Sequence, residues 1–454
     1  MFTDRQGNAL SGANAEATAL LDEAVEAFTL YHGDPLALAD RAIEAAPGMA
    51  MANIYKAYLL GLATEPEAAA AARTVVTDAK ALPMDDRERS HVAALDHLLA
   101  NNWTKAARAL EYHNMRYPRD LVALHAGHLT DFFRGDARTL RDRIARALPA
   151  WSVDVPGNSL VLGMYAFGLE EAGDYGRAED TGRDAVARQP LDCWAHHAVA
   201  HVMEMQGRAA DGIDWMTSRE PHWSADDNFF KVHNWWHRAL FHLDMDQRDR
   251  AVALYDQKVR AEPSPVVMDL IDASALLWRL SLDGCEVGDR WNEVATCWDQ
   301  HADGTLYPFN DWHAAMAYLG AGRMGDVERL LGHTRRDTAR ATGAETETQA
   351  WARATGRPLI EGFQAFWQGK YEFAVEKLHP ARSIAGSFGG SHAQRDIIDW
   401  TLTEAAIRGG MTDVAVALAN ERLARKPSSP LNLSFLARAH KAAAPTPSVA
   451  ASAA

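Results

Sequence analysis

Along most of the chain, apolar residues return every three or four positions, and strict two-residue alternation is nearly absent. That period puts them on one face of a helix and not on one face of a strand. Ala, Leu, Glu and Arg dominate, all strong helix formers. A longer period is laid over the short one. The stretch A-G-D-Y-G-R-A-E-D-T-G-R-D-A-V-A-R-Q-P, Ala172 to Pro190, has the second half of a tetratricopeptide (TPR) unit. Gly173 makes the turn, Tyr175 and Ala178 pack the second helix, and Pro190 stops it. The skeleton returns at Ala106 with Pro118, Ala251 with Pro263 and Ala374 with Pro380, and more faintly at Gly33–Pro47, Gly207–Pro221, Gly322–His333 and Gly410–Pro427. From Ala106 to Ala178 is 72 residues and from Ala178 to Ala251 is 73. Each interval fits two units of about 36, near the TPR period of about 34.

This predicts an all-α fold, an α-solenoid of TPR-like antiparallel helix pairs over residues 1–441. First (A) helices should line the concave side and second (B) helices the convex side, with a closing helix at 431–442. Ala339–Arg357, rich in Thr, Ala and Arg, reads as a loop or hinge. The tail 442–454, almost only Ala, Pro, Ser, Thr and Val, reads as disordered.

Composition narrows the partners. With 48 % apolar residues the chain can bury a large core. The net charge of −15 argues against nucleic acid and anionic membranes, both of which attract basic surfaces. No apolar run of about 18 residues predicts a membrane span, and M-F-T-D-R-Q-G-N leads into no signal-like segment. The three cysteines, Cys193, Cys285 and Cys297, have no C-x-x-C spacing and read as reduced thiols of a cytoplasmic protein. A homodimer would suit a solenoid with apolar ends.

The unusual polar residues fall on successive A helices. W-A-H-H-A-V-A-H-V-M-E-M carries His197, His201 and Glu204, and V-H-N-W-W-H-R-A-L-F-H-L-D carries His233 and His237. The next helix carries Asp269 and Asp272. His197, His233 and Asp269 are 36 residues apart, as are His201 and His237. Pairs at i and i+4 share a face, and neighbouring helix axes lie roughly 8–10 Å apart, so these groups are expected to converge. One reading is a polar ladder that positions helices. The other is a pocket in which the histidines transfer protons or bind a single divalent metal, with Glu204, Asp269 and Asp272 orienting them. Without a metal, the histidines would act as bases or donors. Trp236 is core or an aromatic wall for a ligand. F-N-D-W-H-A-A-M-A offers Asp311, an expected N-cap, and His313. In G-S-F-G-G-S-H-A-Q-R-D the two glycines and Ser391 would leave N–H groups free at a helix start, an anion site beside His392 and Arg395, or else a tight turn with an ordinary cap.

H-A-V-A-H-V-M-E-M, H-N-W-W-H-R-A-L, D-x-x-D-A-S-A-L-L-W-R-L, D-W-H-A-A-M-A and G-G-S-H-A-Q-R-D, in this order, resemble the tetratricopeptide repeat protein 38 family over about residues 15–425. The resemblance implies a TPR-like helical protein whose characteristic residues are polar. They match at His197, His201, Glu204, His233, Asn234, His237, Asp269, Asp272, Asp311, His313, Gln394, Arg395 and Asp396. It implies no defined activity. The residues themselves suggest a concave pocket for a small polar molecule or short peptide, with hydrolase- or lyase-type proton chemistry. The alternative is a non-catalytic scaffold that holds a partner protein in its groove. A pocket with converging imidazoles would favour the first, and an open trough with dispersed histidines the second.

Overall fold

The helices are specified at their ends as well as along their faces. Asp34, Asp120, Asp136 and Asp192 each cap a helix by accepting the backbone N–H three residues on. Asp85 with Glu88, and Ser391 with Gln394, form reciprocal capping boxes. Pro35, Pro66 and Pro308 take first-turn positions, where no backbone donor is needed. The computed structural model describes residues 2–339 and 345–443 and is a TPR-like all-α repeat, its helices paired and stacked in chain order. The strands among the described residues are Phe2–Thr3 and Ala9–Leu10, an antiparallel pair.

A and B helices differ as the repeat requires. In the A helix Cys193–Met205 every residue but the last is buried. In the B helix Tyr175–Arg188 only Ala178, Gly182, Ala185 and Val186 are. Ala106, Ala178, Ala251 and Ala374, the small residues of the repeat, are all buried at the A–B contact. Two expectations are corrected. Pro380 does not stop its helix but lies inside Tyr371–Arg382. Most of Ala339–Arg357 is not loop: helix Glu347–Trp351 runs through a wide i→i+5 turn at Ala352–Gly356 into helix Arg357–Trp367. Residues 340–344 and the tail beyond Ala443 lie outside the described residues.

The superhelix curls until its ends meet its middle. Asn310 donates to the Thr64 carbonyl at 2.9 Å, and the Val267 N–H to Glu65 at 3.3 Å. Glu347 accepts from the Thr104 N–H at 2.7 Å. Phe229 N–H bonds the Tyr31 carbonyl, and Gly33 N–H the Asp227 carbonyl. At the other end Lys426 pairs with Glu204 at 2.6 Å, and Ser429 bonds Asp244. Tyr307 places its hydroxyl 2.9 Å from the carbonyls of both Phe133 and Phe388. Beside it, Gly135 turns with φ +63°, and a Cβ there would sit 1.6 Å from the Gly386 carbonyl oxygen.

This contact predicts a contrast. Gly322 has a similar φ, +72°, but open space around it. Gly322→Ala should cost about 1–2 kcal/mol from left-handed strain alone. Gly135→Ala should cost about 3 kcal/mol or more, since it also pushes two loops apart. Equal losses in urea unfolding would show that the 135–386 contact carries no weight.

Candidate functional site

Four A helices meet at the centre of the curl. Cys193–Met205 supplies His197 and His201, and Lys231–Asp244 supplies His233 and His237, each pair one turn apart on one face. Val267–Leu282 supplies Asp272, and Asn158–Glu171 supplies Glu170. The Nε2 atoms of His197, His233 and His237 form a triangle with sides of 3.0, 3.0 and 3.2 Å. All four rings bring one nitrogen to within 4.8 Å of one another, a set able to hold a metal ion. His233 Nδ1 donates to Asp272 at 2.9 Å. His201 Nδ1 lies 3.4 Å from a Glu170 carboxyl oxygen. Trp236 stacks on His233, with ring centres 5.2 Å apart, and Phe167 and Phe230 pack against His197.

Burial sets the charge state. It holds His197 and His237 well below the usual imidazole range, and neighbouring imidazoles lower them further. Burial takes His201 down to about 4, against the pull of Glu171 and Glu204. These three rings are therefore neutral near pH 7 and offer lone pairs. Burial raises Asp272, partly offset by His233. Burial also raises Glu170 well above the carboxylate range, helped by the charge of Glu171. Neither Glu170 oxygen makes a hydrogen bond of good geometry.

Beside the tetrad lies a cavity of about 280 Å³. His197 and His233 form one part of its wall, and Phe28, Leu62, Phe133, Phe167, Trp194, Ile271 and Phe309 much of the rest. Thr64, Asn310, Ser391 and Gln394, with Tyr31 and Tyr307, are its neutral polar residues and Glu65 its one carboxylate. Half-exposed Val266 marks its mouth.

The other expected site residues have different work. Asp269 stands one turn from Asp272, and it is Asp272 that meets His233. Glu204 does not orient the histidines but pairs with Lys426. Trp236 is fully buried behind His233 and is not part of the cavity wall. Asp311 is not an N-cap; it lies inside helix Pro308–Gly320 and accepts the Gly304 N–H at 3.0 Å. His313 is held by the Phe309 carbonyl at 2.8 Å. The expected anion site is already satisfied from within. Ser391 and Gln394 cap each other, the His392 N–H goes to Glu171, and Arg395 bonds the Gly389 and Gly390 carbonyls. His392, Arg395 and Glu204 instead line a separate polar cleft of about 310 Å³ with Arg422, Arg425 and Lys426. In it Arg422 pairs with Asp396, and Arg425 with Asp399.

Glu170 escaped the sequence reading. Its signal was there: two consecutive glutamates, Glu170 and Glu171, ending a helix otherwise rich in apolar residues. A second polar cluster also escaped it. Asp120 caps helix Leu121–Phe133 and accepts from Arg87, His91 and His113 at 2.6–3.0 Å. The Arg87 guanidinium supplies the counter-charge there, so this cluster reads as structural.

No protein-family model matches the chain. Solved structures similar to it include the human IFIT1 dimer with m7Gppp-AAAA, at 12 % identity and TM-score 0.42, over 95 % of this chain and 96 % of that one. The Cut9–Hcn1 hetero-tetramer of the APC/C is similar at 12 % and 0.41, over 93 % and 76 %. Yeast Tom70 is similar at 12 % and 0.37, over 94 % and 88 %. No helix among the described residues is long and apolar enough to cross a membrane.

His313 gives a test of the burial argument. Burial takes its pKa down to about 3, against the Phe309 carbonyl bond, while the unfolded value is near 6.5. Its neutral ring therefore supports folding fully above pH 6.5, and that support drains away as pH falls toward 3. Replacing it with a non-titrating residue, His313→Gln, should cost stability at pH 7.5. The deficit against wild type should shrink by about 2 kcal/mol at pH 5. A deficit independent of pH in urea titrations would refute the assignment.

Proposed function

We propose that the protein binds a small, uncharged, largely apolar molecule in the central cavity, with its polar end toward His197 and His233. The observation that carries this is the pairing of an apolar, mostly aromatic wall with two buried imidazoles at one side. At about 280 Å³ the space is just below the range of known ligand pockets, roughly 300–1,000 Å³, which fits a small ligand. The lining favours an apolar ligand over the polar molecule or peptide expected from the residue types. Hydrolase- or lyase-type chemistry run by these histidines alone is not supported. Three of the rings point their Nε2 atoms at one another and not at a substrate position. The unpaired thiols of Cys193, Cys285 and Cys297 suit a reducing cytoplasm. His197, His201, His233, His237 and Asp272 also carry the resemblance to the tetratricopeptide repeat protein 38 family, which supports that assignment for this TPR-like chain.

A binding role also suits the second reading, a scaffold for a partner protein. Because the curl encloses the inner face, that partner would dock on outer B helices such as Trp103–Arg116, where Tyr112 and Met115 are exposed.

Native mass spectrometry of the purified protein, followed by titration with small uncharged aromatic probes, tests the first reading. Ile271→Trp, which fills the cavity, should abolish probe binding and leave the thermal midpoint within a few degrees. Unchanged probe binding in that variant would sink the proposal. Loss of a protein partner on Tyr112→Asp, with no effect of Ile271→Trp, would favour the scaffold.

A further inference from the structure

A neutral imidazole nitrogen carries either one hydrogen or one lone pair, directed outward in the ring plane. His233 donates its Nδ1 hydrogen to Asp272, so its Nε2 carries a lone pair. That atom faces the Nε2 of His197 at 3.0 Å and of His237 at 3.2 Å, and those two face each other at 3.0 Å. No placement of hydrogens satisfies this triangle. If His197 and His237 both carry a hydrogen on Nε2, the two hydrogens collide. If either carries a lone pair there, it faces the lone pair of His233. At least one side is repulsive in every case, in a buried site of low dielectric. The same three atoms become mutually compatible once a cation stands between them.

We infer that His197, His233 and His237 hold one divalent transition-metal ion through their Nε2 atoms, with His201 as a fourth imidazole beside it. Asp272 on His233 is the outer carboxylate that fixes a metal-binding histidine in its tautomer. Glu170 stands to His201 in a similar relation, with both its oxygens buried and without another partner. Asp272 supplies negative charge beside a dication. Spacing speaks to the kind of ion. With bonds of about 2.1 Å, sides of 3.0–3.2 Å subtend about 90–100° at the metal. That is nearer the face of an octahedron than a tetrahedron, whose edges would be about 3.4 Å. Such an arrangement suits iron, cobalt or nickel and leaves coordination positions open. Two of the three rings also line the cavity, so a cavity ligand and the ion would be neighbours. The metal inference does not rest on that ligand.

The test uses the full chain, stripped with a chelator and titrated with Co²⁺, followed by calorimetry and visible absorption. The expected result is one equivalent bound with sub-micromolar affinity and the weak visible bands of a six-coordinate ion. Asp272→Asn, close in shape, should fold normally and bind about 10–100-fold more weakly. His237→Ala should lose stoichiometric uptake. Co²⁺ uptake by wild-type protein that binds no aromatic probe, or probe binding without Co²⁺ uptake, keeps failure of the cavity reading and failure of this one separable. Absence of stoichiometric uptake by the folded wild-type protein overturns the inference whether or not the histidine variant folds. Undiminished affinity in Asp272→Asn overturns the assigned role of that carboxylate.

Discussion

Removing four imidazoles and two carboxylates from water is the constraint around which this molecule is arranged. Each such group loses several kcal/mol of hydration unless something replaces it. Here the replacement is neutrality and close packing. Burial drives the rings of His197, His201 and His237 to their uncharged form. Trp236 then stacks on His233, and Phe167 and Phe230 pack against His197. This shielding requires more helices than the two that carry the histidines. The curl supplies them, bringing residues from the first and last thirds of the chain around one centre.

Repeat spacing made much of this legible. The 36-residue register between His197 and His233, and between His201 and His237, follows from one helix pair per unit, and the convergence of these rings follows from it. The register failed for the carboxylate. Asp269 occupies the equivalent position, yet Asp272, one turn further along the helix, meets His233. A displacement of one turn is within the slide between neighbouring helices, which spacing does not encode. Glu170 was hidden for a related reason. It comes from the unit before the histidines and matches none of them in register.

The curl itself was not legible. Curvature of a solenoid accumulates from small rotations at each unit, set by side-chain packing and not by the repeat period. The contacts that make it visible, such as Asn310 to Thr64, join residues with no pattern between them. At the glycine-rich start near Ser391, the tight turn with an ordinary cap is the one of the two readings that forms: Gln394, three residues on, closes the capping box and uses one of the N–H groups. His392 and Arg395 then turn to the polar cleft, where Glu171, Asp396 and Asp399 pair with His392, Arg422 and Arg425.

An open solenoid is quasi-one-dimensional: each unit touches only its neighbours, and terminal units can fray or fold independently. Hydrogen bonds here span 246 residues, from Asn310 to Thr64, and 243, from Thr104 to Glu347. Such contacts raise the mean sequence separation far above that of a simple helical stack. The loop-closure entropy must be met before they form, which slows folding. The first and last units therefore depend on each other, and the chain gives up the tolerance of truncation and graded unfolding that helical arrays otherwise have.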